Sequence, residues 1–385
     1  MYTLAVVIYR LFFHPLAKIP GPRLQAVVSL PWLYRRYIQA TAPAKALELH
    51  QKYGPLVRVT PNEIIVDGAI GWPQVFGYTN KDKEEFPKPP GFFFRNDHKS
   101  IINAPRADHR RIRRQLSYAF SDSAMTEQEL ILVRYTNLLM GRLQDLSDEG
   151  AKINIVDWLN FTTFDIIGEL AFSDPFDSLT SKGHHPWVLS IFQSIQASAL
   201  RRFLARYPPL DSIVGGLGLS KDMKVETLNQ QAAVTKTRKR MAMGAEGPGG
   251  RRDFITHMMR KSKTGDDVIS PAEILATFPV LVIAGSETTG TALAGLFFYL
   301  SRYPEKASAL VSEVRSAYAS EEDITMDNTS KLEYLHAALE ETLRIYPPVL
   351  ASPPRMSPGA EVGGHYIPKG VSGTLSIEVT VIQQN

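Results

Sequence analysis

The stretch from Ser270 to Arg302 constrains this chain most, because it reads as one uninterrupted helix that is apolar nearly all round. Ser270 can cap its first turn, Pro271 suits the first helical position, and Glu273 stands where a capping box requires an acid. At 1.5 Å per residue the helix is roughly 48 Å long. A rod of this kind is either buried in protein or spans a membrane. Its middle, Ala284-Gly285-Ser286-Glu287-Thr288-Thr289-Gly290, is a polar patch. In a bilayer, Glu287 would sit near the centre at a cost of roughly 2.5–3.5 kcal/mol. Burial in protein beside a ligand is cheaper where the acid finds partners. Two readings of the patch stay open at this point. One is a core helix kinked by Pro279 and by hydroxyls that bond back to the backbone. The other is a place where Ala284 and Gly285 admit a flat group, with Glu287 and Thr288 as an acid and an alcohol that deliver protons to it.

The rest of the pattern is mainly helical with a minor β part. Apolar spacing predicts helices over residues 42–53, 108–120, 126–146, 156–172, 187–207, 225–243, 253–260, 305–319 and 330–346. Residues 56–59 and 63–66 read as a hairpin about Thr60-Pro61-Asn62, and short β-like pieces fill residues 349–370. Residues 86–94 form a Pro/Phe/Gly loop, either a core plug or a wall of an apolar pocket. Residues 14–23 hold prolines at a density that makes a stiff hinge rather than a helix. Residues 1–13 are apolar except for Arg10. They are shorter than the ~20 residues of a spanning helix and lack a signal peptide's basic start and cleavage site. A partial membrane anchor is the preferred reading, ahead of an interfacial segment and a plain terminal helix or strand.

Composition removes several chemistries. The 385 residues contain no cysteine, which excludes disulfides, zinc–thiolate sites, cysteine nucleophiles and thiolate-ligated haem. The nine histidines form no H-E-x-x-H or H-x-H pattern, so no protein-built metal site is expected. A net charge of +4 is modest and spread along the chain, and gives no argument for nucleic acid.

Two motifs in order carry more than either alone. Ala284-Gly285-Ser286-Glu287-Thr288-Thr289 resembles the oxygen-activating motif of the cytochrome P450 family, A-G-x-[DE]-T-[TS]. Glu341-Thr342-Leu343-Arg344, ahead of Tyr346-Pro347-Pro348, resembles that family's structural E-x-x-R. A glutamate and an arginine three apart share a helix face, and alone they would be an ordinary surface pair worth under ~1 kcal/mol. His109-Arg110-Arg111-Ile112-Arg113 is similar to the early helix whose two donors, here His109 and Arg113, face the haem propionates. Alone it would read as a solvated basic face. Residues 164–172 are similar to the family's mid-chain helix. Ser352-Pro353-Pro354-Arg355 is similar to the strand whose arginine is a further propionate partner, and Tyr366-Ile367-Pro368-Lys369-Gly370 to the hairpin that follows. The likeness runs from about Phe12 to Gly370 and is nearest to microsomal enzymes of filamentous fungi.

The resemblance implies a haem-dependent monooxygenase that oxidises an apolar secondary metabolite (mycotoxin, polyketide or terpenoid type) with O2. Electrons would come from an NADPH–cytochrome reductase at the cytosolic face of the endoplasmic reticulum membrane. It assigns Glu287 and Thr288 to catalysis, His109, Arg113, Gly285 and Arg355 to the cofactor, and Glu341 and Arg344 to structure. Residues 92–94, 200–210 and 349–352 would shape the substrate pocket, and Arg111 and Arg114 would offer a basic face to the reductase. The likeness stops after Gly370, where the family has an arginine-bearing loop and the iron-ligating cysteine. The expected organisation is a partial anchor (1–13), a hinge (14–23), an incomplete P450-type catalytic domain (24–370) and an aberrant tail (371–385), with the chain inactive as it stands. A non-catalytic remnant that binds an apolar ligand or a partner, and an integral membrane protein, are the alternatives.

Overall fold

In a computed structural model, residues 1–77, 84–89, 98–181, 183, 199–200, 202–204, 206–207, 221–260 and 269–376 are described. The chain divides into two compact units. One is built from residues 1–95, 196–220 and 349–385, the other from residues 96–195 and 221–348.

The first unit is organised on a sheet. Strands β1 (Leu56–Thr60) and β2 (Glu63–Asp67) form the expected hairpin, pairing Leu56 with Val66 and Val57 with Ile65. Side chains alternate across a strand. Leu56, Ile64 and Val66 therefore enter one apolar cluster, while Val57, Val59 and Ile65 enter another. The second cluster is closed by helix α4 (Ala42–Tyr53), which buries Ala42, Ala46 and Leu49. The first holds Leu16 and Ile19 of the proline-rich segment. That segment lies flat on β1: Arg58 N–H donates to Pro20 O at 2.8 Å. A Cβ on Gly21 would stand 2.2 Å from Arg58 O, so only glycine fits there. Ahead of it, α1 (Tyr2–Phe13) is helical, and α2 (Arg23–Val27) and α3 (Leu30–Tyr37) follow the prolines.

Arg58 ties these pieces together. It is 2% exposed, and its guanidinium donates to Pro61 O at 3.0 Å and to Arg10 O at 2.8 Å. Burial, with the charge of Arg10 adding to it, lowers the pKa of this guanidinium.

Strands β3 (Arg355–Met356), β4 (Ala360–Val362) and β5 (His365–Ile367) follow in the C-terminal part. Gly363 and Gly364 turn the β4–β5 hairpin at φ +55° and +77°, a conformation that favours glycine. Residues 371–385, expected as an unrelated tail, begin instead with strand β6 (Ser372–Ser376) inside the sheet. It runs parallel to β2 and antiparallel to β3, giving the order β1-β2-β6-β3. Thr374 and Val371 are buried.

The second unit is helical. Its elements are α5 (Arg106–Ser117), α6 (Asp122–Asp148), α7 (Ile155–Phe172), α8 (Lys221–Ala242), α9 (Phe254–Met259), α10 (Pro271–Arg302), α11 (Pro304–Ala317) and α12 (Glu333–Ile345). The long helix α10 starts with the expected capping box: Glu273 N–H donates to Ser270 Oγ at 3.2 Å and Ser270 N–H to Glu273 Oε2 at 2.9 Å. Ile274, Phe278, Val282, Ser286 and Gly290 are buried. Spaced by four, they make one ridge of the kind that packs into a neighbouring helix. The main neighbour of α10 is α7. By length and composition α10 is also the one helix among the described residues that could cross a membrane.

Polar groups lock the surrounding turns. Asp165 is 1% exposed and accepts from Phe176, Ser178 and Leu179 N–H at 3.2, 3.0 and 2.9 Å, fixing the chain that leaves α7. Arg240 and Asp253, 1% and 4% exposed, form a bidentate pair. Ser173 Oγ and Thr256 N–H donate to the same carboxylate, each at 2.8 Å. Removing one partner of such a pair leaves a buried charge uncompensated. Arg240→Met is therefore expected to lower unfolding free energy by about 3–5 kcal/mol. Arg240→Met with Asp253→Leu should recover most of that loss, as read by denaturant unfolding of the three chains.

Candidate active site

The polar patch of α10 divides its residues between two faces. Gly285 and Gly290 are turned to α7. A Cβ on Gly285 would meet Ile167 Cδ1 at 2.9 Å, and one on Gly290 would meet Asn160 Oδ1 at 2.5 Å. Gly285, expected to admit a cofactor, thus serves the close approach of two helices. The residue left open is Ala284, which is exposed. Ser286 is fully buried, and its Oγ donates to Val282 O at 2.6 Å. Thr288 Oγ1 donates to Ala284 O at 2.6 Å and Thr289 Oγ1 to Gly285 O at 3.0 Å. These are the back-bonds to the preceding turn expected of hydroxyls in a helix.

Glu287 lies half-buried between these faces. Its Oε2 is buried without a hydrogen-bond partner, and burial pushes its carboxyl above the ordinary glutamate range. Asn160 Oδ1, on α7, is a second buried acceptor with no partner. Asn160 was not among the expected site residues, although an amide inside Trp158-Leu159-Asn160-Phe161 is a visible break in an apolar run.

The other expected residues fall in three places. On α5, His109 is half-buried and Arg113, one turn on, is exposed. Arg111, expected to face a partner, is engaged inside the unit: it pairs with Glu273 at the start of α10 and with Asp108 at 3.1 Å. The cations of this helix that remain exposed are Arg106, Arg110, Arg113 and Arg114. On α12, Arg344 donates to Glu341 from Nε at 2.5 Å and from Nη2 at 2.7 Å, holding that carboxyl below its ordinary range. Beside this pair, α10, α11 and α12 enclose a mostly apolar cavity of about 610 Å³. Leu296, Tyr299, Tyr334 and Glu341 line it, and none of residues 284–290 does.

Arg355 belongs to the first unit. It donates to Phe86 O at 3.3 Å and stacks on the Phe76 ring at 5.1 Å, while its Nε is buried without a partner. Lys88 stands near enough for the two cations to repel. Burial first, and then Arg355, lowers the Lys88 pKa to about 8. Lys88 is the other residue that the sequence reading missed. Of the pocket segments, Val349 and Leu350 are exposed and Ser352 is buried, while residues 92–94, 201, 205 and 208–210 lie outside the described residues.

The donor set does not fit a thiolate-held haem iron. The 385 residues contain no cysteine. Among the described residues, no group of three or more His, Cys, Asp or Glu could hold a metal ion.

Glu287 gives a pH signature. Its folded pKa is raised, so between the unfolded value, about 4.3, and the folded one the native state binds the extra proton. Stability then falls as pH rises through that window. Glu287→Gln removes this term. The variant is expected to melt higher than the parent at neutral pH, with the difference vanishing below about pH 4. Paired thermal melts across pH read it directly.

The family model for cytochrome P450 matches residues 19–380, which includes strand β6. The chain is 36% identical to a cytochrome P450 monooxygenase, aclL, of Aspergillus oryzae, over 96% of this chain and 75% of that protein. It is 33% identical to the monooxygenase efuB of Hormonema carpetanum, over 97% and 75%. It is 35% identical to the trichothecene C-15 hydroxylase of Fusarium sporotrichioides, over 96% and 74%. The chain therefore belongs to the cytochrome P450 family of monooxygenases.

Proposed function

We propose that this chain is the scaffold of a fungal monooxygenase for an apolar secondary metabolite, with Glu287 and Thr288 as its proton-handling pair. The observation that carries this reading is the half-buried Glu287, whose Oε2 is buried without a partner, one residue from a hydroxyl on a mostly apolar helix. A carboxyl whose pKa is raised by burial is suited to passing a proton near neutral pH. The relatives' names support the substrate class: one is a trichothecene hydroxylase. His109 and Arg113, one turn apart on α5, are donors suited to carboxylate recognition, and in this reading they face a haem propionate; Arg355, in the first unit, is a donor of the same kind. Ala284, rather than Gly285, is the small residue that leaves room beside the cofactor. Electrons come from an NADPH–cytochrome reductase, met through the exposed Arg110 and Arg114, and the enzyme sits at the cytosolic face of the endoplasmic reticulum with α1 as its membrane contact.

The cysteine-free composition favours a second reading for residues 1–385 taken alone: they bind apolar ligand but do not turn it over. The two readings separate in one experiment. The 385-residue chain, reconstituted with reductase in microsomes, is expected to give no reduced-CO band at the thiolate position and no product. A chimera that continues after Gly370 with the C-terminal part of the Aspergillus oryzae relative is expected to give both. Thr288→Ala or Glu287→Gln in that chimera should lower product formation roughly a hundredfold while keeping the band. A thiolate band from the unmodified chain overturns the assignment.

A further inference from the structure

Within the first unit, Lys88 and Arg355 are both half-buried, and they stand close enough to repel. Two such cations side by side are costly unless something anionic meets them. The backbone holds them there. Arg355 Nη1 donates to Phe86 O at 3.3 Å, and Met356 N–H donates to Pro87 O at 2.8 Å. These two bonds tie the residues just ahead of Lys88 to strand β3. Glu85 is the acid that acts on both cations, and in each it opposes the effect of burial. Both nonetheless stay below their ordinary values, Lys88 at about 8.

The ground beside the cations is apolar and kept clear. Arg355 of β3 pairs with Gly373 of β6, and Gly373 pairs with Ile64 of β2. Residues opposite one another share a face of a sheet. Arg355 therefore lies on the face whose apolar cluster holds Ile64, Val75 and Phe86. Gly373 puts no side chain between Ile64 and Arg355, and a Cβ there would find its nearest neighbour only at 3.9 Å. Phe76 packs on the same cluster and carries the guanidinium on its ring at 5.1 Å. Arg355 Nε is a buried donor without a partner. An orphan guanidinium donor and a neighbouring ammonium over an apolar floor match a ligand with an apolar body and an anionic end. A carboxylate suits both, since it has two oxygens and about four lone-pair directions to share between them.

We propose that Lys88 and Arg355 together form an anion site that takes the carboxylate of an apolar ligand, with Lys88 supplying the second charge. The proposal rests on the reading of Arg355 as a carboxylate donor and deepens it, since it adds Lys88 and makes binding depend on the charge of that lysine. A porphyrin side chain and an apolar acid substrate offer the same chemistry to such a site.

Equilibrium dialysis of the full chain against two pairs of probes tests it: protoporphyrin IX with its dimethyl ester, and dodecanoic acid with its methyl ester. The parent is expected to prefer the acid to the ester at neutral pH. That preference should fall as pH is raised past about 8, where Lys88 gives up its proton. Glu85 and Arg355 are the charged groups that act on it. Lys88→Met should weaken acid binding roughly tenfold, the scale of one charge-assisted hydrogen bond. It should leave the esters unchanged and remove the pH step. Lys88→Arg should keep the affinity and also remove the step. Arg355→Met should weaken acid binding as well.

A loss confined to the porphyrin pair assigns the site to a cofactor's carboxylate, and one confined to the dodecanoic pair assigns it to a substrate's. Lys88→Met that binds like the parent, while Arg355→Met binds the acids more weakly, overturns the part of Lys88 and keeps the reading of Arg355. Equal binding by the parent and both methionine variants overturns both. A parent that does not separate acid from ester overturns the site, and so does a Lys88→Met loss shared equally by acid and ester, which marks a packing role. Should Lys88→Met fail to melt cooperatively, Lys88→Arg decides: a pH step that persists in it overturns the proposal.

Discussion

Everything in the helical unit is arranged about the contact of α10 with α7. The ridge of Ile274, Phe278, Val282, Ser286 and Gly290 runs down α10 at intervals of four. It starts with large side chains and ends with small ones. Phe278 and Val282 fill volume at 0% exposure, and Gly285 and Gly290 let α7 close in until Ile167 and Asn160 leave no room for a Cβ. The taper decides what the other face can do. Because the glycines are spent on packing, Ala284 and Thr288 are left on a side that is not filled by α7. The same few residues thus set a helix–helix distance and clear a working surface.

Glu287 is the local cost of that arrangement, and magnitudes show why the fold tolerates it. A buried acceptor without a partner costs about 1–3 kcal/mol. Fully burying an Ile, Phe or Val side chain contributes about 1.5–3 kcal/mol each. Ile274, Phe278 and Val282, on the same helix, outweigh one unsatisfied carboxyl several times over. A sequence that breaks a packing rule at one position, inside an otherwise well-satisfied element, has placed the exception where chemistry would use it.

Much of this was legible in the residues because the signals were local. Ser270-Pro271-Ala272-Glu273 specified the start of α10, Tyr53-Gly54-Pro55 the end of α4, and Thr60-Pro61-Asn62 the turn between β1 and β2. What was not legible was set by partners distant in sequence. Arg111 looks like any surface cation until Glu273, from the cap of another helix, closes on it. Arg58, in the middle of a short strand, is buried by the N-terminal segment folding over it. Gly285 and Ala284 are adjacent small residues, and no pattern in the string says which of them faces α7.

Strand β6 is the sharpest case. Ser372-Gly373-Thr374-Leu375-Ser376 has little apolar content and no alternation that would announce a strand. It becomes one because β2 and β3 present backbone donors and acceptors on either side, and an unpaired buried N–H or C=O is costly enough to recruit whatever chain is within reach. A parallel partner some three hundred residues away leaves no local trace. The strand also corrects the picture of where the family's pattern stops: the sheet continues past Gly370, and the match runs to residue 380.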